Sequence, residues 1–272
     1  MGLVAGPDGN LWFAENKGWA IGRMSMLGEL AEFPVQGGMP SAITVGPDEN
    51  LWFTEDQGRI GRITSAGIVA EFLSGDSGLP RAISAGADGN LWFAGINGRP
   101  SVGRISPAGT VETIPVPLSL TTESPGMALG AAGAIWFTNG NSIIRLTPEG
   151  TATAFPAATR GRPQAIVAGL NSDLWFSEFA GGVGRITLSG EISESAVPAD
   201  VYAGYGIAVG PDGDVWFTEA GPNKIGRLSA SGTFVEYDIP TAGSFPYGIA
   251  VAADGSVWFT EKEVGKIGRI VP

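Results

Sequence analysis

The sequence predicts an all-β chain folded as one seven-bladed β-propeller, with four short antiparallel strands per blade and a last blade lacking its outer strand. Three observations predict it. A Trp-Phe dipeptide recurs seven times, at Trp12, Trp52, Trp92, Trp136, Trp175, Trp216 and Trp258, with spacings of 40, 40, 44, 39, 41 and 42. Each recurrence carries four strand-like runs punctuated by Gly and Pro every 8–12 residues or so, and no stretch holds a helical period. Four strands per unit of roughly 40 residues is the signature of a propeller blade. All 272 residues, 1–272, therefore form one domain.

Within a blade the first strand is a small apolar run such as Gly248-Ile249-Ala250-Val251, and an Asp-Gly turn such as Asp254-Gly255 closes the hairpin to the second. The second strand holds the Trp-Phe pair, as in Val257-Trp258-Phe259-Thr260. The third is the Ile-Gly-Arg-Ile run, as in Ile60-Gly61-Arg62-Ile63. The fourth falls near residues 29–33, 68–72, 110–114, 151–155, 191–195 and 234–238 in the first six blades. Blade 7 stops after Ile267-Gly268-Arg269-Ile270, which leaves three readings: a three-stranded blade, a trimmed chain, or an open edge completed by a partner strand.

Composition narrows the chemistry. With 43 Gly, 8 Trp and 13 Phe the chain is rich in turns yet ordered. The net charge of −11 disfavours nucleic-acid binding, which calls for clustered Lys and Arg. No run reaches the roughly 18 apolar residues of a membrane span. There is no Cys and no His, which removes thiolate and Ser-His-Asp nucleophiles, imidazole metal ligands and the usual neutral-pH base. No organic cofactor is expected. No signal peptide is read, since Met1 leads into a strand, and a compartment is not assigned.

Residues present in every blade are expected to serve packing. The Trp-Phe pairs fill the space between sheets. The third-strand arginines, Arg23, Arg62, Arg104, Arg145, Arg185, Arg227 and Arg269, bridge blades or bond backbone carbonyls. The Asp-Gly turns carry too few acids for a Ca²⁺ loop.

The start of each first strand and the end of each second strand fall on one face, at the channel mouth. The second-strand positions are Glu15, Glu55, Gly95, Asn139, Glu178, Glu219 and Glu261. Two readings stand: a carboxylate ring that recruits Mg²⁺ or Ca²⁺, or side chains that each bond a neighbouring blade's backbone or Arg. The first-strand positions are Ser41, Arg81, Gly126, Gln164, Tyr205 and Tyr247, and they differ from blade to blade as a ligand site would. Trp19, Phe179 and Phe245 add an aromatic arc, with Arg81, Arg99, Arg160 and Arg162 nearer blades 3 to 5. Such a face suits an amphipathic or aromatic ligand with a polar end.

The blade pattern, as in Phe245-Pro246-Tyr247-Gly248-Ile249, Trp258-Phe259-Thr260-Glu261 and Lys266-Ile267-Gly268-Arg269-Ile270, resembles the virginiamycin B lyase (streptogramin B lyase) family over Gly2 to Ile270. The resemblance implies a Mg²⁺-dependent elimination that linearises streptogramin B antibiotics. It also implies a catalytic histidine where this chain has Tyr247, and a second functional histidine where it has Tyr205. One metal-binding Glu of the family falls on Phe245 and the other among Glu261, Lys262 and Glu263.

The expected function is accordingly a propeller that binds a small molecule or a protein partner at the channel mouth and lacks the His-dependent reaction. The alternative is a Mg²⁺- or Ca²⁺-dependent lyase or lactonase acting on a cyclic ester. It would use Tyr247, Tyr205 and Glu261 as catalytic groups and Glu219, Glu261 and Glu263 as metal ligands. A third reading is an interaction module whose open seventh blade accepts a strand; the chain is otherwise expected to be monomeric.

Overall fold

The computed structural model describes residues 2–75, 78–96, 101–116, 126–159, 161–179, 182–195, 197 and 203–272. Seven antiparallel sheets form seven blades; six have four strands and the last has three. Blade 7 comprises Pro246–Val251, Val257–Glu261 and Lys266–Ile270. The first strand of each blade lies beside those of its two neighbours, and Leu3–Ala5 of blade 1 packs on Pro246–Val251, so the ring is closed. The fourth strands fall where the spacing places them, from Leu30–Pro34 in blade 1 to Phe234–Asp238 in blade 6. The sole departure from strand and turn among the described residues is a 3₁₀ turn at Ala131–Gly133.

The core is seven clusters, each shared by adjacent blades. Trp12 and Ile21 of blade 1 pack with Leu51, Phe53 and Ile63 of blade 2, and the series ends with Ala250 and Trp258 of blade 7 on Leu3 and Phe13 of blade 1. This division follows from the strand period of two: in Trp-Phe the Trp faces one neighbour and the Phe the other. The third-strand glycine is required by that arrangement. A Cβ at Gly226 would collide with the Phe217 ring and with Glu219 Oε1, and Gly22 is placed in the same way under Phe13 and Glu15.

Three of the arginines take the expected role and four take a different one. Arg23, Arg62 and Arg145 donate to the carbonyls of Ser65, Pro107 and Leu188, each in the next blade, at 2.8, 2.8 and 3.0 Å. Arg104, Arg185, Arg227 and Arg269 instead pair with acids of their own blade, Asp88, Asp173, Asp214 and Asp254. In the turns, Asp8, Asp48 and Asp88 accept from the indole Nε1 of Trp12, Trp52 and Trp92 at 2.9–3.1 Å, so these carboxylates order the hairpin.

The edge of blade 7 differs physically from the others. The fourth-strand aromatic rings Phe33, Phe72 and Phe155 stack on Trp12, Trp52 and Trp136 at 5.6–5.7 Å. Among the described residues Trp258, like Trp92 and Trp175, has no such ring, and the Arg269 guanidinium lies 4.9 Å from its centroid. Ile267 and Ile270 stay half-buried, whereas the equivalent Ile225 and Leu228 of blade 6 are 0% and 4% exposed.

Candidate functional site

A β-bulge builds the channel mouth. In blades 2, 3, 5, 6 and 7 the pairing of first and second strands slips, between Pro40 and Ile43, at Pro80 to Ala82, between Pro163 and Ile166, between Ala203 and Ile207, and between Pro246 and Ile249. The residues in these bulges include Ser41, Arg81, Gln164, Tyr205 and Tyr247, the variable positions of the sequence. A bulge leaves extra residues unpaired and re-aims their side chains.

The bulges of blades 2, 5, 6 and 7 are each held by a hydroxyl one residue before the second-strand Glu; in blade 3 that position is Ala94. Thr54, Ser177, Thr218 and Thr260 accept from the N–H of Ala42, Ala165, Gly206 and Gly248 at 2.9–3.2 Å. Thr218 also donates to the Tyr247 carbonyl at 3.3 Å, and Ser177 to Gly204 at 3.0 Å, so one hydroxyl ties a bulge to the next blade. Gly206 must be glycine here, because a Cβ would strike the Tyr247 carbonyl oxygen. Sequence reasoning missed these hydroxyls; their signal is the Thr-Glu or Ser-Glu pair after Trp-Phe.

The structure gathers most of the predicted aromatic arc. Tyr205 and Tyr247 stack at 4.6 Å with planes 13° apart, Phe245 lies 5.6 Å from Tyr205, and Phe179 meets it edge-on at 6.3 Å. Lys262 Nζ sits 4.8 Å from the Tyr247 centroid and 5.3 Å from Phe245, and the Arg162 guanidinium 5.8 Å from Phe179. Phe245 has φ of +53°, a conformation rare for a bulky side chain. Its loop is pinned by Asn223, which accepts from Ser244 N and Oγ at 2.8 Å each and donates to the carbonyls of Ile239 and Thr241.

A cavity of about 600 Å³ runs from this cluster into the seam between blades 7 and 1. Ser41, Arg81, Tyr247 and Lys262 line its mouth; Lys17, Glu15, Leu30 and Ile267 lie along the seam. Burial, and after it the neighbouring Tyr205, raises the Tyr247 phenol above its ordinary value, with Arg81 opposing. Tyr247 is therefore neutral at pH 7 and a poor proton acceptor there.

Other expected residues lie elsewhere. Trp19 is 48% exposed on its loop and makes no ring contact among the described residues. Gln164 is half-buried and its carbonyl accepts from Thr138, but it is not in the cavity wall. Arg99 and Arg160 are outside the described residues.

The carboxylates do not form an open ring. Glu55, Glu178 and Glu219 are fully buried and Glu261 is 5% exposed; only Glu15 reaches the cavity. The side chains of Glu15 and Glu219 follow the Phe side of the strand and end over the third-strand glycine. Burial, and then Glu71, pushes Glu55 up to about 8. Glu263 is exposed on its loop, and among the described residues no three acids come together as a metal site. With Phe245 and Lys262 at the mouth, the residues present do not fit the Mg²⁺ that the resemblance implies.

The arrangement defines a propeller with an aromatic, cation-flanked mouth. The family model for the virginiamycin B lyase family matches residues 1–214 and 119–272, and the chain belongs to that family. A virginiamycin B lyase of Nocardia farcinica is 33% identical over 122 residues, 43% of this chain and 40% of that protein. The match thus spans well under half of that relative. Among solved structures, a streptogramin B lyase aligns over 98% of this chain and 91% of its own at 33% identity with a TM-score of 0.88. Staphylococcus aureus virginiamycin B lyase aligns over 98% and 93% at 34% identity with a TM-score of 0.86. A catalytically inactive histidine-to-alanine variant of that enzyme, solved with quinupristin, aligns equally well.

Proposed function

We propose that this chain is a binding propeller that takes a small aromatic molecule at the channel mouth and does not carry out the lyase reaction of its relatives. One observation carries the second half: a relative is described as inactive once a single histidine is replaced by alanine, and this chain has no histidine at all. The groups at the mouth support the first half. Two stacked tyrosines, Phe245 and Phe179 offer π faces and edges, and the adjoining cavity falls within the roughly 300–1,000 Å³ of small-molecule sites.

The test has two arms. Incubated with quinupristin and Mg²⁺, the protein should leave the antibiotic unchanged by chromatography and mass, beside an active lyase as control. A new peak of unchanged mass would mean elimination and would overturn the loss of activity. In the second arm, a panel of one- and two-ring aromatic compounds is screened by ligand-observed NMR. Binding should occur, and it should be abolished in the Tyr205→Ala/Tyr247→Ala double variant; binding that survives the double variant would place the site elsewhere.

A further inference from the structure

The mouth has an unusual charge for this chain. The protein carries 27 acids against 16 bases, and only four of the bases are lysines: Lys17, Lys224, Lys262 and Lys266. Three of those four, together with Arg81, line the cavity that reaches Tyr247 of the tyrosine stack, and the acids lining it are Glu15 and Glu32. Burial, and then Glu32, raises the Glu15 carboxyl above its ordinary value. Among the described residues, Lys17, Arg81, Lys262 and Lys266 take part in no ion pair, whereas five of the seven third-strand arginines do.

Arg81 is the more telling of the four. It projects from the blade 3 bulge, where the repeat places it on the mouth, and it lines the cavity close enough to Tyr247 to oppose the rise of its phenol pKa. Its Nε is shut off from solvent with no hydrogen-bond partner among the described residues. A buried donor without an acceptor costs about 1–3 kcal/mol, a cost that an acceptor brought in by a ligand removes. Guanidinium is suited to carboxylate because its planar fork gives two parallel N–H···O bonds. Lys262, by contrast, sits over ring faces, with its Nζ 4.8 Å from the Tyr247 centroid and 5.3 Å from Phe245.

We infer that the mouth is selective for an aromatic anion: a ring that lies against Tyr247 and Phe245, bearing a carboxylate that Arg81 binds, with Lys262 adding charge from the side. This rests on the mouth-binding reading and adds the ligand's charge class to it. The same four cations would repel Mg²⁺ and cationic ligands.

The test is a matched set of three probes differing only in charge: naphthalene-2-carboxylate, 2-naphthalenemethanol and 2-naphthylmethylammonium, titrated by NMR at low and high salt. The carboxylate should bind about tenfold or more tighter than the alcohol, and the ammonium weakest. Raising the salt should weaken the carboxylate and leave the alcohol unchanged, as screening of a charge pair requires. Arg81→Ala should bring the carboxylate to within about twofold of the alcohol without altering the alcohol, and Arg81→Lys should retain part of the preference. Melting curves confirm that the variants are folded; if Arg81→Ala is not, the Arg81→Lys and Lys262→Met pair carries the test. Equal binding of carboxylate and alcohol, both lost in Tyr205→Ala/Tyr247→Ala, would overturn the anion preference and leave the mouth site standing. Failure of all three probes to bind the wild-type protein would overturn both.

Discussion

Glu55 offers a sharp test of how the buried carboxylates behave. It is fully buried, neither oxygen has a hydrogen-bond partner among the described residues, and burial, Glu71 and Asp56 outweigh Arg59 to push it up to about 8 from an ordinary 4.5. In the folded protein it therefore holds a proton that the unfolded chain releases. Between pH 4.5 and about 8 the native state binds one more proton than the denatured state, so stability falls as pH rises through that window. Each unit is about 1.4 kcal/mol, so the loss is about 3 kcal/mol by pH 7 and levels off near about 5 kcal/mol above pH 8, as an upper bound.

Glu55→Gln keeps the shape and removes the titration. Thermal melts followed by Trp fluorescence should nearly coincide for wild type and variant at pH 5. By pH 8 the variant should melt higher by roughly 10 °C, at about 2–4 °C per kcal/mol for a chain of this size. The reverse control is Glu191→Gln on the exposed turn of blade 5, which should leave the pH profile unchanged. Parallel Tm–pH curves for wild type and Glu55→Gln would refute the reasoning and mean that Glu55 is ionised in the fold.

Thr218→Val should cost about 1–3 kcal/mol, by orphaning the Gly206 N–H, and should weaken aromatic probes at the mouth by freeing the Tyr205 bulge; a thermal melt and an NMR titration read the two effects. Asn223→Ala should act at longer range, loosening residues 239–245 and with them Phe245, seen as faster amide hydrogen exchange confined to that loop. Extending the chain before residue 1 with an outer-strand sequence, an aromatic placed opposite Ile267, should raise the Tm by several degrees through burial of the half-exposed Ile267 and Ile270; no change would mean the blade 7 edge does not accept a fourth strand. Full chelation with EDTA should leave both Tm and probe binding unchanged, since no three acids converge among the described residues.

The scaffold was legible because it is periodic. Trp12 to Trp258 mark the blades, Gly226 and its counterparts mark the third strands, and the Asp-Gly turns mark the hairpins, each repeated often enough to separate signal from chance. The variable first-strand positions were legible by the opposite logic, as places where the repeat is not kept. What sequence alone left open was direction. Alternation along the second strand puts Glu219 on the side of Phe217, and only the glycine opposite leaves room for both, so the carboxylates turn into the sheet and not into the channel. Lys17 and Lys266 escaped notice because they are distant from Arg81 in sequence and share a cavity with it only through the folded ring.

The scaffold separates the groups that hold the fold from the residues displayed at the mouth. The groups that stabilise the fold, the Trp-Phe pairs, the third-strand glycines and the bulge hydroxyls, lie between blades or behind the bulge and make no demand on the residue the bulge displays. Thr218 holds the Tyr247 carbonyl and the Gly206 N–H, backbone groups that a histidine would present equally well. Varying the residues displayed at Tyr205, Tyr247 and Phe245 is thus nearly free of cost to folding, and in this chain those positions form an apolar stack. An apolar stack in turn weakens any cation site beside it and leaves Arg81 and Lys262 without acids to neutralise them. On the proposed reading, the absence of histidine and the cationic mouth belong together, and an aromatic anion is the ligand class that fits both.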